Sequence, residues 1–172
     1  MKWILKPFLL QLLLVFYGAL YCQSGFPCNE VMAEVEYHGA VKFMSNCAFL
    51  AYPGSETYGS PEGTFVTTRE IGRLLWDEYK KGEITRSQLA ARLGIVSRMD
   101  CDFFDSGDSI VMIYVCPEAI THLRTPVVSD PGVNTEYHAS TPCTANPGIP
   151  QASVVIYRSS LGHGCSYIEK AR

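Results

Sequence analysis

Seven cysteines in a chain of 172 residues constrain the fold more than any other feature of the sequence. No two of them lie two to four residues apart, the spacing that structural zinc sites usually need. The cysteines therefore predict disulfides in an oxidising compartment rather than a metal site. We expect Cys22 to leave with an export segment, so that six cysteines form three disulfides whose pairing the sequence leaves open. These six are Cys28, Cys47, Cys101, Cys116, Cys143 and Cys165.

The first 24 residues have the pattern of a secretory signal peptide. Lys2 and Lys6 give a positive start, and residues 7–20 are almost free of polar side chains. That apolar stretch is shorter than the roughly 20 residues that a membrane-spanning helix needs. We therefore expect residues 25–172 to form a single secreted domain without a stable membrane span. A short membrane anchor and a lipid attached at Cys22 are the alternatives.

The charge balance excludes one class of partner. The chain has 14 basic and 17 acidic residues, a formal net charge of -3, and removal of Lys2 and Lys6 makes the mature domain more acidic. A strongly basic nucleic-acid binder is therefore excluded. With 47% hydrophobic residues the chain is not globally disordered either. Residues 84–95 resemble the start of a helix-turn-helix motif, but a secreted protein meets little DNA, so we expect no DNA partner.

Apolar spacing and turn residues predict the first half of the fold. Alternating apolar and acidic residues over 31–38 predict a half-buried strand, and residues 38–50 could continue as a short helix. Residues 67–97 predict a helical hairpin, because capping boxes begin at Thr67 and Thr85 and glycines follow both helices. The apolar stripe of its first helix consists of Ile71, Leu74, Leu75 and Tyr79.

The second half of the chain predicts mostly strands and loops. The apolar run from Ile110 to Val115 predicts a buried strand, and a short strand could follow at residues 126–128. Residues 152–158 and 165–168 predict a C-terminal β-hairpin, because a Gly-His-Gly turn separates them. Together the elements predict an α+β domain, with an antiparallel sheet, a helical hairpin packed against it, and disulfides that staple it.

Four residues are of the types that RNA cleavage by acid–base chemistry needs. One group takes the proton of the 2'-hydroxyl, another protonates the leaving oxygen, and a cation holds the phosphate. These candidate catalytic residues are His38, Glu62, Arg158 and His163. A cysteine nucleophile is disfavoured because paired cysteines leave no thiol, and no Gly-x-Ser-x-Gly elbow is present. The sequence does not show whether the four side chains converge.

A loop with several turn formers and aromatic residues precedes the helical hairpin, over residues 51–67. Loops of this length often carry a binding function, although an ordinary surface connection is an equal alternative. The candidate binding surface combines this loop with the basic side chains of the hairpin. Its residues are Tyr52, Tyr58, Glu62, Phe65, Arg69, Arg73, Lys80 and Lys81.

Three patches of the sequence have the pattern of one family. The first is Cys28, followed by Ala40-Val41 before Cys47. The second is Tyr52-Pro53, followed by Glu62-Gly63-Thr64-Phe65. The third is Asn146-Pro147-Gly148, then the run from Val154 to Tyr157 and the closing Gly164-Cys165. In these patches the chain resembles the small secreted, guanyl-specific ribonucleases of fungi and the ribonuclease-like fungal effectors that share their fold.

The chain departs from this family at the positions that would transfer protons. Gly54 stands where the family has a histidine after Tyr-Pro, and Ser153 stands where it has an arginine. Lys170 is the nearest match to the family's final histidine. The resemblance therefore implies a binding effector rather than a nuclease.

The sequence as a whole predicts a secreted, disulfide-rich effector or virulence-type protein. We expect it to bind a host or extracellular partner without catalysis. A protein is the expected partner, RNA is the second candidate, and no cofactor or metal is expected. The alternative is a secreted endoribonuclease-like hydrolase that uses His and Glu, and a third possibility is an adhesion module that self-associates.

Overall fold

The computed structural model of the protein describes residues 28–50, 55–59, 63–95, 103, 107–125, 139–141, 144–145, 149–161 and 164–172. The predicted signal peptide and the predicted strand at residues 126–128 lie outside these ranges. Within them, no helix is long and apolar enough to cross a membrane.

Helices and strands alternate through the first half of the described chain, and strands dominate the second. The helices are α1 (Cys28–His38), α2 (Asn46–Leu50), α3 (Arg69–Lys80) and α4 (Arg86–Arg92). The strands are β1 (Ala40–Ser45), β2 (Thr64–Thr68), β3 (Ile110–Val115), β4 (Thr121–Arg124), β5 (Ala139–Thr141), β6 (Thr144–Ala145), β7 (Ala152–Val155) and β8 (Tyr167–Ala171). Short 3-10 turns occupy Pro117–Ala119 and Arg158–Ser160.

Six strands form one antiparallel sheet in the order β4-β7-β2-β1-β3-β8. Strands β5 and β6 pair separately. The long register between β1 and β3 sets Ala40 opposite Val115 and Ser45 opposite Ile110. Helices and an antiparallel sheet in one domain confirm the predicted α+β class.

Helix α3 and helix α4 pack against one face of the sheet. Leu75 and Trp76 of α3 join Val41 and Phe43 of β1 in one buried cluster. Gly72 lies directly over β1, because a Cβ atom at this position would stand 2.3 Å from the Cβ of Val41. Any larger residue would hold α3 away from the sheet.

Helix α1 lies against the opposite face, although residues 31–38 were expected to form a strand. That prediction is wrong because Val31 and Val35 share one side of a helix as well as one side of a strand. Tyr37, which a strand would bury beside them, is 72% exposed. Gly39 ends α1 with a φ of 85°. In residues 38–50, where a short helix was one possibility, β1 comes first and only the last five residues form a helix, α2. Strand β1 is buried along almost its whole length, so it shows no alternation that would mark it as a strand.

The predicted helical hairpin is confirmed as α3 and α4. The capping box at Thr85 is present, with Thr85 and Gln88 each accepting the other's backbone N–H. The one expected at Thr67 is absent, because β2 extends through Thr68 and α3 begins without a side-chain cap. In the apolar stripe, Leu74 is exposed and Trp76 is buried in its place.

The predicted C-terminal hairpin does not form. Strand β7 pairs with β2 and β4, whereas β8 pairs with β3 on the other side of the sheet. A disulfide joins Cys116, directly after β3, to Cys165, shortly before β8. The backbone N–H of Cys116 also donates to Oγ of Ser166, at 3.1 Å. This covalent link sets β8 beside β3 rather than beside β7.

The expectation of a disulfide-stapled domain is confirmed by the bond between Cys116 and Cys165. Cys28 and Cys47 are also disulfide-bonded. The remaining two predicted partners, Cys101 and Cys143, lie outside the described residues.

Candidate binding site

The two described aromatic residues that were predicted to bind a partner are buried. Tyr58 and Phe65 are 7% and 9% exposed, so both rings belong to the core of the domain. Tyr52 and Glu62 lie outside the described residues. Among the described residues, none of the aromatic rings predicted to bind a partner is therefore exposed on the surface.

The basic residues predicted on the helical hairpin are exposed, but they are balanced by acidic ones. Residues 69–83 contain four basic and four acidic side chains. Lys80 makes ion pairs with Asp77, at 3.4 Å, and with Glu169 of β8, at 3.0 Å. The guanidinium of Arg69 lies 5.1 Å from the centre of the Tyr114 ring. Arg73 and Lys81 complete this surface, which has no net positive charge.

The candidate catalytic residues do not assemble in the described part of the chain. His38 is exposed at the end of α1, next to the start of β1, and its carbonyl oxygen accepts from the hydroxyl of Tyr114, at 3.0 Å. Arg158 lies beyond the other end of β1, where its Nη2 donates to the carbonyl oxygen of Phe49 in α2, at 3.4 Å. The length of β1 separates them by roughly 15 Å or more. Glu62 and His163 lie outside the described residues.

Four side chains form a column at the Arg158 end of the sheet, in which two stacked rings lie between two cations. The guanidinium of Arg158 lies over the Tyr58 ring, 4.2 Å from its centre. Tyr58 stacks on Phe49 with ring centres 5.1 Å apart and an angle of 11° between the planes. Nζ of Lys170, on β8, lies 4.8 Å from the centre of the Phe49 ring. Each ring pair and each cation–ring contact is favourable, so the column holds both cations in place.

A third cation, Lys42 of β1, lies next to Gly59, which follows Tyr58 in the chain. Its Nζ donates a hydrogen bond to Oγ1 of Thr64, and the side chain is 7% exposed. Burial lowers the pKa of Lys42 from 10.5 to about 8. Gly59, the neighbour of Tyr58, approaches this pair closely, because a Cβ atom there would stand 2.7 Å from Oγ1 of Thr64 and 3.7 Å from Cε of Lys42. Gly59 therefore lies directly alongside Lys42.

Lys42, Arg158 and Lys170, with the rings of Phe49 and Tyr58, are called the basic cluster below. No acidic side chain of the described residues forms an ion pair with any of its three cations. Lys170 donates instead to the amide oxygen of Asn46, at 2.7 Å. Glu169, the neighbour of Lys170, points to the opposite face of the sheet, where it contacts Trp76. Within the part of the chain that the structure describes, the basic cluster is therefore a group of cations without an ion-pair partner.

Sequence reasoning named one cation of this cluster and missed the others. Arg158 was selected as a phosphate-holding residue, and Lys170 was noted only as a departure from the ribonuclease pattern. The signal for Lys42 was a lysine inside the otherwise apolar run of β1. A lysine in the middle of a buried strand is costly, and this marks it as a candidate functional residue.

Two other features on the described surface are less suited to a ligand. A pocket of about 20 Å³ on the face covered by α3 and α4 is lined by Phe43, Phe65 and Gln151 among others, and has room for little more than a water molecule. Near the Cys116–Cys165 disulfide, Sγ of Cys165 lies 3.3 Å from a carboxylate oxygen of Glu118. Bonded sulfur atoms are not thiolates, so this group does not ligate a metal in the oxidised protein.

Comparison of the chain with known proteins found no match among protein-family models, curated proteins or solved structures. The resemblance to fungal ribonucleases therefore stays a prediction, and the site is argued from the residues of this chain.

Proposed function

We propose that the mature chain is a secreted protein that acts by binding a protein partner, in the manner of an effector or virulence factor. The basic cluster is the contact surface in this proposal, in place of the aromatic loop and the basic helix face. The observation that carries it is the set of three cations for which the described residues supply no carboxylate. A partner with an acidic surface would supply the missing charge.

The ring contacts favour binding because they hold the cations before a partner arrives. Arg158 and Lys170 each lie on a ring face, and the two rings are stacked on each other. A side chain that is already ordered loses less conformational entropy on binding than a free one. Disulfides would keep this arrangement intact outside the cell.

Binding is favoured over hydrolysis by the placement of the candidate acid–base groups. His38 and Arg158 lie at opposite ends of β1, whereas an acid–base group and the cation that holds the phosphate must reach the same substrate. The basic cluster itself contains three cations, one of which is the hydrogen-bonded Lys42. It includes no carboxylate among the described residues.

The test compares two double variants of the oxidised domain from Gly25 onward on an immobilised glutamate-rich polypeptide, a generic acidic protein surface. Arg158→Ala/Lys170→Ala removes two charges from the basic cluster, and Arg73→Ala/Lys81→Ala removes two from α3 and its end. We expect the first variant to elute at much lower salt than the wild type and the second to elute with it. The reverse order would return the binding surface to the helical hairpin, and equal elution of all three would overturn the proposal.

The same preparations test the hydrolase alternative. Intact RNA after incubation at high protein concentration is the expected result. RNA cleavage that disappears in a His38→Ala/His163→Ala variant would make the chain an enzyme and overturn the binding proposal.

A further inference from the structure

We infer that the Cys116–Cys165 disulfide is a thiol-exchange site, at which Cys165 forms a mixed disulfide with a partner's cysteine that has a basic side chain beside it. This inference goes beyond the proposed binding function and does not depend on it. Three features of the bond carry it: the unequal exposure of the two cysteines, a hydroxyl donor at one sulfur, and a carboxylate at the other.

The two cysteines of this bond differ in their exposure to solvent. Cys165 is exposed, in the turn before β8, whereas Cys116 is 3% exposed at the end of β3. A thiolate breaks a disulfide by attacking one of its two sulfur atoms, and access helps to decide which one. An incoming thiolate therefore reaches the sulfur of Cys165, and Cys116 is the leaving group. Exposed disulfides are also more easily reduced than buried ones.

Ser166 supplies a hydrogen-bond donor to the leaving sulfur. Its Oγ lies 3.2 Å from Sγ of Cys116 and accepts from the backbone N–H of the same residue, at 3.1 Å. A bonded sulfur has no proton, so the hydroxyl of Ser166 is the donor in the contact with sulfur. A hydrogen bond to the charged form of a group favours that form. It therefore acts against the cost of forming a thiolate at the buried position of Cys116.

Glu118 places a negative charge at the other sulfur. One of its carboxylate oxygens lies 3.3 Å from Sγ of Cys165, and the carboxylate forms no ion pair with the described residues. This charge disfavours a thiolate on Cys165, so it acts in the same direction as Ser166 and makes Cys116 the leaving group. It also repels an anionic thiol and attracts a cationic one. The site therefore favours a cysteine that lies next to a lysine or an arginine.

The exchange balances as a single substitution at sulfur. The partner's thiolate forms an S–S bond with Sγ of Cys165, the bond to Cys116 breaks, and the electron pair leaves on Sγ of Cys116. The partner's sulfur is oxidised and Cys116 is reduced. The partner's thiol loses its proton to water, and Cys116 takes one up from water. Attack by Cys116 on the mixed disulfide reverses the step and releases the partner.

Strand β8 keeps its other contacts when this bond opens. It pairs with β3 along its whole length, and the ring centres of Tyr114 and Tyr167 lie 5.0 Å apart. Trp76 of α3 also donates to Glu169 on this strand. Exchange at Cys165 therefore leaves the partner attached to a strand that remains in the sheet.

The experiment treats the oxidised domain from Gly25 onward with two small thiols, without denaturant. Cysteamine carries a positive charge and 3-mercaptopropionate a negative one. Acid stops the exchange at early times, because only a thiolate attacks, and peptide mass spectrometry then locates the attached thiol and the freed one. The ratio of the two rates is compared between the wild type and Glu118→Gln, so that the intrinsic reactivity of each thiol cancels.

Ser166→Ala tests the donor at the leaving sulfur. Ser160→Ala is the matched control, because the hydroxyl of Ser160 donates to the carbonyl oxygen of Tyr157, at 2.6 Å, rather than to a sulfur atom. Urea unfolding of the oxidised variants separates a loss of fold from a loss of exchange. If Ser166→Ala does not fold, the site of attachment and the Glu118→Gln ratio decide.

We expect a mixed disulfide on Cys165 and a free thiol on Cys116. Ser166→Ala should exchange at least about tenfold more slowly, as for the loss of a hydrogen bond to a charged group, and Ser160→Ala should exchange at the wild-type rate. In Glu118→Gln the ratio of the cysteamine rate to the 3-mercaptopropionate rate should fall about fivefold. That factor corresponds to one pair of unit charges about 4 Å apart in water.

Four results would overturn the inference. They are a disulfide that exchanges only in denaturant, first attachment at Cys28, Cys47 or Cys116, a folded Ser166→Ala variant with the wild-type rate, and an unchanged rate ratio in Glu118→Gln. None of them involves retention on the glutamate-rich polypeptide. The proposed binding function and this inference therefore fail separately.

Discussion

Nε1 of Trp76, in helix α3, donates a 2.6 Å hydrogen bond to Oε2 of Glu169, in strand β8. The same carboxylate oxygen accepts from Lys80, at 3.0 Å. These contacts join the helical hairpin to a strand that lies far away in the chain. They hold α3 against the edge of the sheet formed by β8.

We expect the hydrogen bond between Trp76 and Glu169 to make the free energy of unfolding depend on pH in the acid range. The hydrogen bond from Trp76, followed by the contacts with Lys80, lowers the pKa of Glu169 below its usual 4.5. The folded state therefore favours the ionised carboxyl more than the unfolded state does, so the contribution is present above pH 4.5 and is lost as the pH falls through the folded-state pKa. Glu169→Gln should lower the free energy of unfolding at pH 7 by about 1 kcal/mol, since the group is partly exposed.

The measurement is urea unfolding of wild type and Glu169→Gln at pH 7 and near pH 3. The two proteins should differ at neutral pH, and the difference should become smaller as the pH falls. Asp77→Asn is the control, because Asp77 also forms an ion pair with Lys80 but has an exposed side chain. This variant should change the free energy of unfolding by less than about 0.5 kcal/mol. An equal loss at both pH values would show that the charge of Glu169 is irrelevant.

Lys42 should give a pH dependence of the same sign at the alkaline end, because its pKa is also lower in the folded state. Its folded-state pKa of about 8 lies below the unfolded value of 10.5, so folding releases a proton between these two pH values. The free energy of unfolding should therefore rise with pH across this window, by up to about 3 kcal/mol. Lys42→Met should be more stable than the wild type below pH 8 and should lack this rise.

Chemical unfolding at pH 7, 9 and 10.5 measures the effect, in buffers free of phosphate. Lys81→Met changes the same charge at an exposed position and should keep the wild-type rise. A Lys42→Met variant that is less stable than the wild type at pH 7 would mean that an anionic group already compensates Lys42.

The sequence predicts the local structure of this protein better than it predicts which strands and which cysteines pair. The helical hairpin is marked by signals within a few residues, such as the capping box of Thr85 and Gln88. The place of β8 beside β3 depends on the Cys116–Cys165 bond, and six cysteines allow too many pairings for the sequence to select it. Helix α1 was misread because Val31 and Val35 satisfy both periodicities.

The candidate site was predicted less well than the fold because contacts distant in sequence create it. Arg158 has the right residue type for an anion, but its neighbours Phe49 and Lys170 come from α2 and β8. Tyr58 was predicted to bind a partner, but its ring is buried, in contact with Phe49 and Arg158. Lys42 carries a local signal, a lysine in an apolar run, that can be recognised in other sequences.

Thr67 should prove to be an unfavourable polar group in the core. Its Oγ1 is buried and makes no hydrogen bond with the residues that the structure describes. A buried hydroxyl without a partner costs about 1–3 kcal/mol, and valine has nearly the same shape. Thr67→Val should therefore raise the free energy of unfolding by about 1 kcal/mol.

Thr57 offers a matched contrast, because it is equally buried but its Oγ1 donates to the carbonyl oxygen of Gly59, at 3.2 Å. Thr57→Val should lower the free energy of unfolding by about 1 kcal/mol. Urea unfolding of both variants at pH 7 separates the two cases. Destabilisation by Thr67→Val would indicate a water molecule bound between Thr67 and Gln151, which line the same pocket.

Gly72 should be intolerant of even one added carbon. A Cβ atom at this position would stand 2.3 Å from the Cβ of Val41, and neither the helix nor the central strand can move without disturbing the core around Trp76. Gly72→Ala should therefore destabilise the domain by about 1–3 kcal/mol, although alanine is the better helix former by about 1 kcal/mol.

In the double variant Gly72→Ala/Val41→Ala the added methyl group occupies the space that valine leaves. The loss in the double variant should be smaller than the summed losses of the two single variants by at least about 0.5 kcal/mol, the lower end of coupling between contacting residues. Strict additivity in urea unfolding would show that α3 does not rest on β1 at this point.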